Sequence, residues 1–199
     1  MYLKLDCKSI RIETPRLFLR GFKEGDLNDF YDYAKVPDVG EWAGWSHHKD
    51  INESKKILGY FISDNNVLAL ADKKSSKVIG SLGLDKSSWS LERPELINLK
   101  TVELGYVLSK DYWGKGLMTE AVKAVIDYLF KNTAIDFITI CHWDKNVRSE
   151  KVIRNCGFTY LEEGPSKTLF DDSIRNDKRY ILYRKDYLKN ETNSVQIVC

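Results

Sequence analysis

Between Val102 and Tyr128 the hydrophobic pattern changes from that of a buried strand to that of a helix, and two glycines stand at the change. Val102 to Leu108 has the apolar run of a buried strand, while Leu117, Ala121, Val125 and Tyr128 recur along one helical face. Gly114 and Gly116 lie between them and let the backbone turn sharply and come close to a ligand. The first amides of a helix lack internal partners, and its dipole favours negative charge. A strand, a glycine turn and a helix start therefore make a phosphate site, although a plain capping turn would also explain Gly114-Lys115-Gly116. The spacing differs from a Walker A loop, and Thr119 stands where the third glycine of a dinucleotide fingerprint would be.

The rest of the chain can be read around this segment. Arg16 to Phe22 alternates as a strand with Leu17 and Leu19 on one face. Asp26 has the position of an N-cap for a helix running to about Lys35, before Pro37. An aromatic loop follows, from Gly40 to His48, and then a second helix from about Ile51 to Ser63. Val67–Ala71 and Val78–Leu84 predict a hairpin around a polar turn, and Ser87–Lys100 is irregular. After the central strand and helix come a strand over Phe137–Cys141 and a short helix over Asn146–Asn155, stopped at Gly157. A strand starting at Phe158–Leu161 and a last strand over Asp177–Tyr187 complete the pattern. The order predicts one mixed α/β domain over residues 1–189, with Asn190–Cys199 as a frayed tail.

Bulk properties exclude several function classes. A net charge of +2 is too small to argue for a nucleic-acid partner, and no basic arm is present. No apolar run approaches the roughly 20 residues of a membrane helix, and the first residues do not form a signal peptide. Cys7, Cys141, Cys156 and Cys199 form no CxxC pair, so neither a disulfide framework nor a zinc site is expected, and Cys141 and Cys156 read as reduced core residues. Adjacent His47 and His48 rarely converge on one ion, and His142 has no spaced partner, so no metal is expected. The chain reads as cytoplasmic, a monomer or homodimer.

Four segments carry a family resemblance. Thr14-Pro-Arg-Leu-Phe-Leu-Arg20, Glu103-Leu-Gly-Tyr106, Tyr112-Trp-Gly-Lys-Gly116, and Asn146, Ser149, Val152, Gly157 and Phe158 follow in order. In these the chain resembles the GNAT acetyltransferases, and within them the ribosomal-protein-alanine N-acetyltransferase-like branch. The resemblance implies a mixed, mostly antiparallel sheet flanked by helices, whose fourth and fifth strands splay apart to admit acetyl-CoA. Backbone groups of Tyr106, Val107 and Leu108 would then bind the pantetheine arm. The loop and helix start, Trp113, Gly114, Lys115, Gly116, Leu117, Met118 and Thr119, would cradle the pyrophosphate. Asn146 would contact the cofactor from the far side, and Ser149 matches the position that hydrogen-bonds the thiol sulfur. Three positions depart from the family pattern. Trp113 replaces the usual Gln or Arg, Met118 replaces a small residue, and Ile153 stands where many relatives carry a tyrosine acid.

The implied reaction is acetyl transfer to a primary amine of a protein N-terminus or a small molecule. An amine must lose a proton before it attacks, since α-amines titrate at about 7.7–8.0 and lysines at about 10.4. Glu103, at the start of the thioester-bearing strand, is the candidate base, against a plain salt-bridged strand glutamate. An amide near Val107 is the candidate oxyanion donor. Ser149 is the candidate thiol partner, against an ordinary exposed helix serine, and Asn146 could be only an N-cap. Trp42, Trp45 and His47 are expected on the acceptor side, with His47 or His48 as a possible second base, although packing alone would also explain the loop. The rival reading is a non-catalytic acetyl-CoA-binding domain serving partner recognition.

Overall fold

The computed structural model describes residues 1–189 apart from 88, 91–92 and 169–170. Eight strands form one sheet in the order β1-β2-β3-β4-β5-β6-β8-β7. They are β1 Arg11–Glu13, β2 Leu17–Gly21, β3 Val67–Asp72, β4 Val78–Asp85, β5 Thr101–Leu108, β6 Phe137–Trp143, β7 Thr159–Lys167 and β8 Ile174–Tyr183. Helices α1 Leu27–Ala34, α2 Ile51–Asp64, α3 Leu117–Asn132 and α4 Val147–Asn155 accompany them, with a further helical stretch over residues 184–189 among those described. Every strand pairing is antiparallel except β5 with β6. This is the mixed α/β architecture expected, with the short β1 added, so the expected fourth and fifth strands are β5 and β6.

Strand alternation divides the core in two. Leu68, Leu70, Leu82, Leu84, Val102 and Leu104 face α3, whose Leu117, Ala121, Val125 and Leu129 pack onto them. Val67, Ala69, Val78 and Val107 face the opposite way, toward Phe30 of α1 and Leu58 of α2. Truncating a buried leucine such as Leu70 should cost about 2–5 kcal/mol, because both its transfer energy and a cavity are at stake. Tyr128 is only partly buried and packs against the edge of the α3-side core. Pro165 falls on β7, the sheet edge, where a missing N–H breaks no ladder.

Several local readings change. Asp26 precedes α1 as expected but makes no side-chain cap. Its buried carboxylate is taken instead by Arg20, at 2.7 and 2.8 Å, and by the Lys23 N–H. The charge of a β2 arginine thus outcompetes the helix end. The last strand starts earlier than expected, at Ile174, and stops at Tyr183, where residues 184–189 turn helical. Arg184 fixes that change by donating to the carbonyls of Phe130, Thr133 and Ile135 at the end of α3. The expected frayed tail lies outside the described residues. No helix among the described residues is long and apolar enough to cross a membrane.

Candidate active site

The parallel pairing of β5 with β6 runs only from Thr101–Phe137 to Leu104–Ile140. Beyond it β5 continues to Leu108 against β4, and β6 continues to Trp143 against β8. The two strands part, and a cavity of about 1000 Å³ opens between them, closed on one side by α4 and by the glycine loop before α3.

The glycine loop is built from backbone conformation. Gly114 and Gly116 both have φ of +73°, the left-handed region that side-chain-bearing residues rarely adopt. Gly116 is the N-cap of α3, which has no side-chain cap, so its opening amides are left for a ligand. A clamp holds the loop from the β2 side. Glu120 accepts from Thr14 Oγ1 at 2.6 Å, from the Arg16 N–H at 2.9 Å and from Arg16 Nε at 2.6 Å. Arg16 in turn donates to the Lys115 carbonyl at 2.8 Å. The Thr14-Pro-Arg segment is therefore a brace for the loop it precedes by a hundred residues.

On β5 the residues alternate between the two sides of the gap. Glu103 lies on one face, half-buried, with Thr139 Oγ1 donating to it at 3.3 Å and the Cys141 thiol 3.9 Å away. Burial raises its pKa above the usual carboxylate value. The Ser87, Thr139 and Trp89 side chains offset this in part, and the charge of Asp85 adds to it. Cys141 is pushed well up by burial, and by Glu103 beside it, so its thiol stays protonated.

Tyr106 lies on the other face. Its hydroxyl is 2.8 Å from Ser149 Oγ and 3.3 Å from the Ser149 carbonyl. Ser149 is buried rather than an exposed helix serine, and its N–H donates to Asn146 Oδ1 at 3.1 Å. Asn146 is thus the N-cap of α4 and also lines the cavity.

The backbone geometry refines the oxyanion expectation. The Ser109 N–H binds the Ile79 carbonyl, and the Val107 carbonyl crowds Gly80 of β4. Peptide groups alternate sides along a strand, so those of Val107 face β4, and those of Tyr106 and Leu108 face the gap. The Leu108 carbonyl is already taken by Trp113 Nε1 at 2.8 Å. The amide that can meet a developing negative charge therefore belongs to Tyr106 or Leu108.

Of the expected cofactor residues, Tyr106, Val107, Leu108, Trp113, Gly114, Gly116, Leu117, Met118, Thr119, Asn146 and Ser149 all line the cavity. Lys115 does not; its ammonium lies 5.1 Å over the Tyr112 ring. Met118 also belongs to the α3-side core, which explains how a large side chain is accommodated there.

The structure divides the residues expected on the acceptor side. Trp42 lines the cavity, but Trp45 and His47 do not. Trp45 lies flat against Gly40, where even a methyl group would collide, and packs on the α1–α2 core. His47 is exposed and pairs with Glu41 at 2.7 Å. His48 is buried, donates its N–H to the Ala34 carbonyl, and sits 2.6 Å from Ser54 Oγ; burial lowers its pKa, with Glu53 opposing. Neither histidine lines the cavity.

The wall is completed by residues that sequence reasoning missed. The Trp143 ring stands 5.0 Å from Trp42, and Arg175 lies 4.1 Å over Trp143 while donating to the Glu41 carbonyl at 3.0 Å. Arg148 lies 5.3 Å from Trp42 and 4.2 Å from Trp113. Cation–π contacts of this kind contribute about 0.5–2 kcal/mol each. Arg148 sits inside the Asn146-to-Ser149 segment, which was a usable signal; Trp143 and Arg175 had none beyond residue type.

The family model described as "Acetyltransferase (GNAT) domain" matches residues 16–159. The chain is 26% identical over 151 residues to the "Uncharacterized N-acetyltransferase p20" of Bacillus licheniformis, covering 73% of this chain and 80% of that protein. Its fold is similar to the crystal structure of a GNAT-family acetyltransferase from Bacillus anthracis. There the TM-score is 0.76 at 17% identity, with 88% of this chain and 99% of that chain covered. It is also similar to a spermidine N-acetyltransferase from Vibrio cholerae in complex with CoA and spermine. That comparison has a TM-score of 0.70 at 17% identity, with 88% and 99% covered.

Proposed function

Because the chain belongs to the GNAT acetyltransferase family, we propose that it moves the acetyl group of acetyl-CoA directly to a primary amine. The acceptor would be a protein N-terminus, as in the ribosomal-protein-alanine branch that its motifs resemble, or a small molecule. The observation that carries this reading is the gap between β5 and β6, with Glu103 on one face and Tyr106 and Ser149 on the other.

The cleft fits the cofactor chemically. A cavity of about 1000 Å³ admits a long, narrow molecule, and the uncapped α3 start with its two left-handed glycines suits a pyrophosphate. When bound, acetyl-CoA supplies the activated carbonyl. The amides from Gly114 to Thr119 would hold its phosphates, the Tyr106–Leu108 backbone its pantetheine arm, and Asn146 its far side.

Glu103 would take the acceptor's proton, directly or through water. Its raised pKa brings it nearer to that of an amine, which improves it as a base near neutrality. The Tyr106 or Leu108 amide would meet the charge that grows on the carbonyl oxygen, and Ser149 would donate to the sulfur. Trp42, with Trp143 beside it, would wall the acceptor. The deciding experiment is a panel of amines and N-terminal peptides with acetyl-CoA, following free thiol release. Release that depends on an amine supports transfer; binding of acetyl-CoA with no release for any amine leaves a binding domain and removes the enzyme reading.

A further inference from the structure

We infer that Tyr106 is a positioning residue of this site, whose hydroxyl donates to Ser149 Oγ and so turns the serine hydrogen into the cleft, toward the thioester sulfur. The inference rests on the acetyl-CoA reading above and adds a residue whose side chain that reading does not use.

The argument is one of hydrogen count. A phenol and a serine hydroxyl each have one hydrogen to give, and each oxygen can also accept. At 2.8 Å one of the two must be donating to the other. If Ser149 donates, its hydrogen is spent on Tyr106 and the sulfur meets only lone pairs. If Tyr106 donates, Ser149 keeps its hydrogen for the cleft. The structure allows either hydroxyl of this pair to be the donor; the Ser149 carbonyl, at 3.3 Å from the phenol, can only accept, and the shorter contact is the one between the two hydroxyls.

A phenol is more acidic than an alcohol and so the better donor of the two, and the surroundings keep its proton in place. Tyr106 is held on the face of β5 that packs against α4, and burial pushes its pKa up, so it remains a protonated donor. The ionisable groups that face it, Cys156 and Cys141, are raised as well, Cys156 to about 12, and stay neutral thiols. The Asn146 side chain binds the Ser149 N–H and fixes the first turn of α4. One turn further, Ile153 is fully buried and offers no donor. Tyr106 gives up no proton in this role; it orients a hydrogen bond that stabilises the departing thiolate.

The test uses free CoA carrying a carbon-13 label beside its thiol, whose resonance reports thiol ionisation in the complex without any acceptor. In the parent protein the bound thiol should titrate below that of free CoA. Tyr106→Phe keeps the ring and should lower the thiolate fraction at a given pH about tenfold, the scale of one charge-assisted hydrogen bond. Ser149→Ala should do at least as much, and the double variant should match Ser149→Ala alone. At a pH where the bound thiol is protonated in both proteins, CoA affinity of Tyr106→Phe should stay near the parent value and its far-UV spectrum should persist, which separates orientation from misfolding. Above that pH its affinity should fall in step with the lost thiolate. A Tyr106→Phe titration that superimposes on the parent's overturns the inference, as does a Tyr106→Phe effect that persists without Ser149. If the label is unmoved by the parent protein, the acetyl-CoA reading itself fails.

Discussion

The two halves of the cleft are built by different means. The half around α3 and α4 relies on backbone: left-handed glycines, an uncapped helix start, an N-capping asparagine and strand peptide groups turned to a gap. The half around Trp42 relies on side chains from distant segments, with Trp42, Trp143, Arg148 and Arg175 stacked between a loop, β6, α4 and β8. Backbone features come from a few consecutive residues and suit a constant ligand. A wall of large side chains can be rebuilt by single substitutions, so it suits the variable ligand. With the cofactor in the first half and the acceptor in the second, as proposed, the cofactor half should fail all at once, and the acceptor half by degrees.

The sharpest way to break this contrast is Gly116→Asp, which should abolish acetyl-CoA binding in calorimetry while the far-UV spectrum persists. Gly116→Asn separates the causes, since asparagine tolerates a positive φ comparably without adding charge. It should retain measurable heat, and if both variants bind equally well the α3 start is not the phosphate site.

Glu103→Gln comes next, with a rate loss of about 10²–10⁴ at neutral pH and cofactor affinity nearly unchanged. The parent's kcat/KM should rise with pH through the raised Glu103 pKa, and that limb should vanish in the variant. Stability provides a second check. The folded chain holds a proton on Glu103 that the unfolded chain releases, so stability from this group falls as pH climbs from the ordinary carboxylate value through the raised one. Glu103→Gln should therefore match or exceed the parent Tm at neutral pH. Parent-like turnover at pH 7 would make Glu103 structural.

A third pair tests the acceptor half. Trp42→Ala should raise the acceptor KM several-fold and leave acetyl-CoA affinity intact. Trp45→Ala should instead cost about 3–5 kcal/mol of stability, with the acceptor KM of the surviving folded protein unchanged. Reversed results would exchange the two roles. The smallest effect belongs to Arg16→Ala. Its guanidinium is half exposed, so the ion pair with Glu120 should contribute no more than about 1 kcal/mol to stability. The same change should weaken acetyl-CoA binding several-fold by loosening Lys115. Unchanged affinity would show that the loop needs no brace.

The same contrast explains what could be read from the sequence. Gly114, Gly116 and the α3 face were legible because turn chemistry and helical period act over neighbouring residues. The order of strands and helices was legible for the same reason, while the short β1 and the end of β8 were not, since pairing with Arg20 and Phe18 and the clamp by Arg184 decide them. Trp42 and Trp45 are the same residue type and close in sequence, as are His47 and His48, yet packing sends one of the four to the cavity, two into or against the α1–α2 core and one to solvent. Nothing local distinguishes them. Asp26 shows the other failure, in which a distant arginine claims a side chain that local rules assign to a helix end.

Because the pairing of β5 with β6 stops at Leu104 and Ile140, the ladder on the far side of that point is a broken seam. A thin ligand that lies in the seam and meets peptide groups on its edges takes the place of the missing rungs. Occupancy then becomes a structural event: the strands up to β5 and those from β6 onward are tied along their whole length only while the seam is filled. At a hundred times the dissociation constant such a ligand adds about 2.7 kcal/mol to the folded state. Where such a ligand is plentiful, the chain would owe part of its rigidity, and its resistance to proteases, to the molecule lying in the seam.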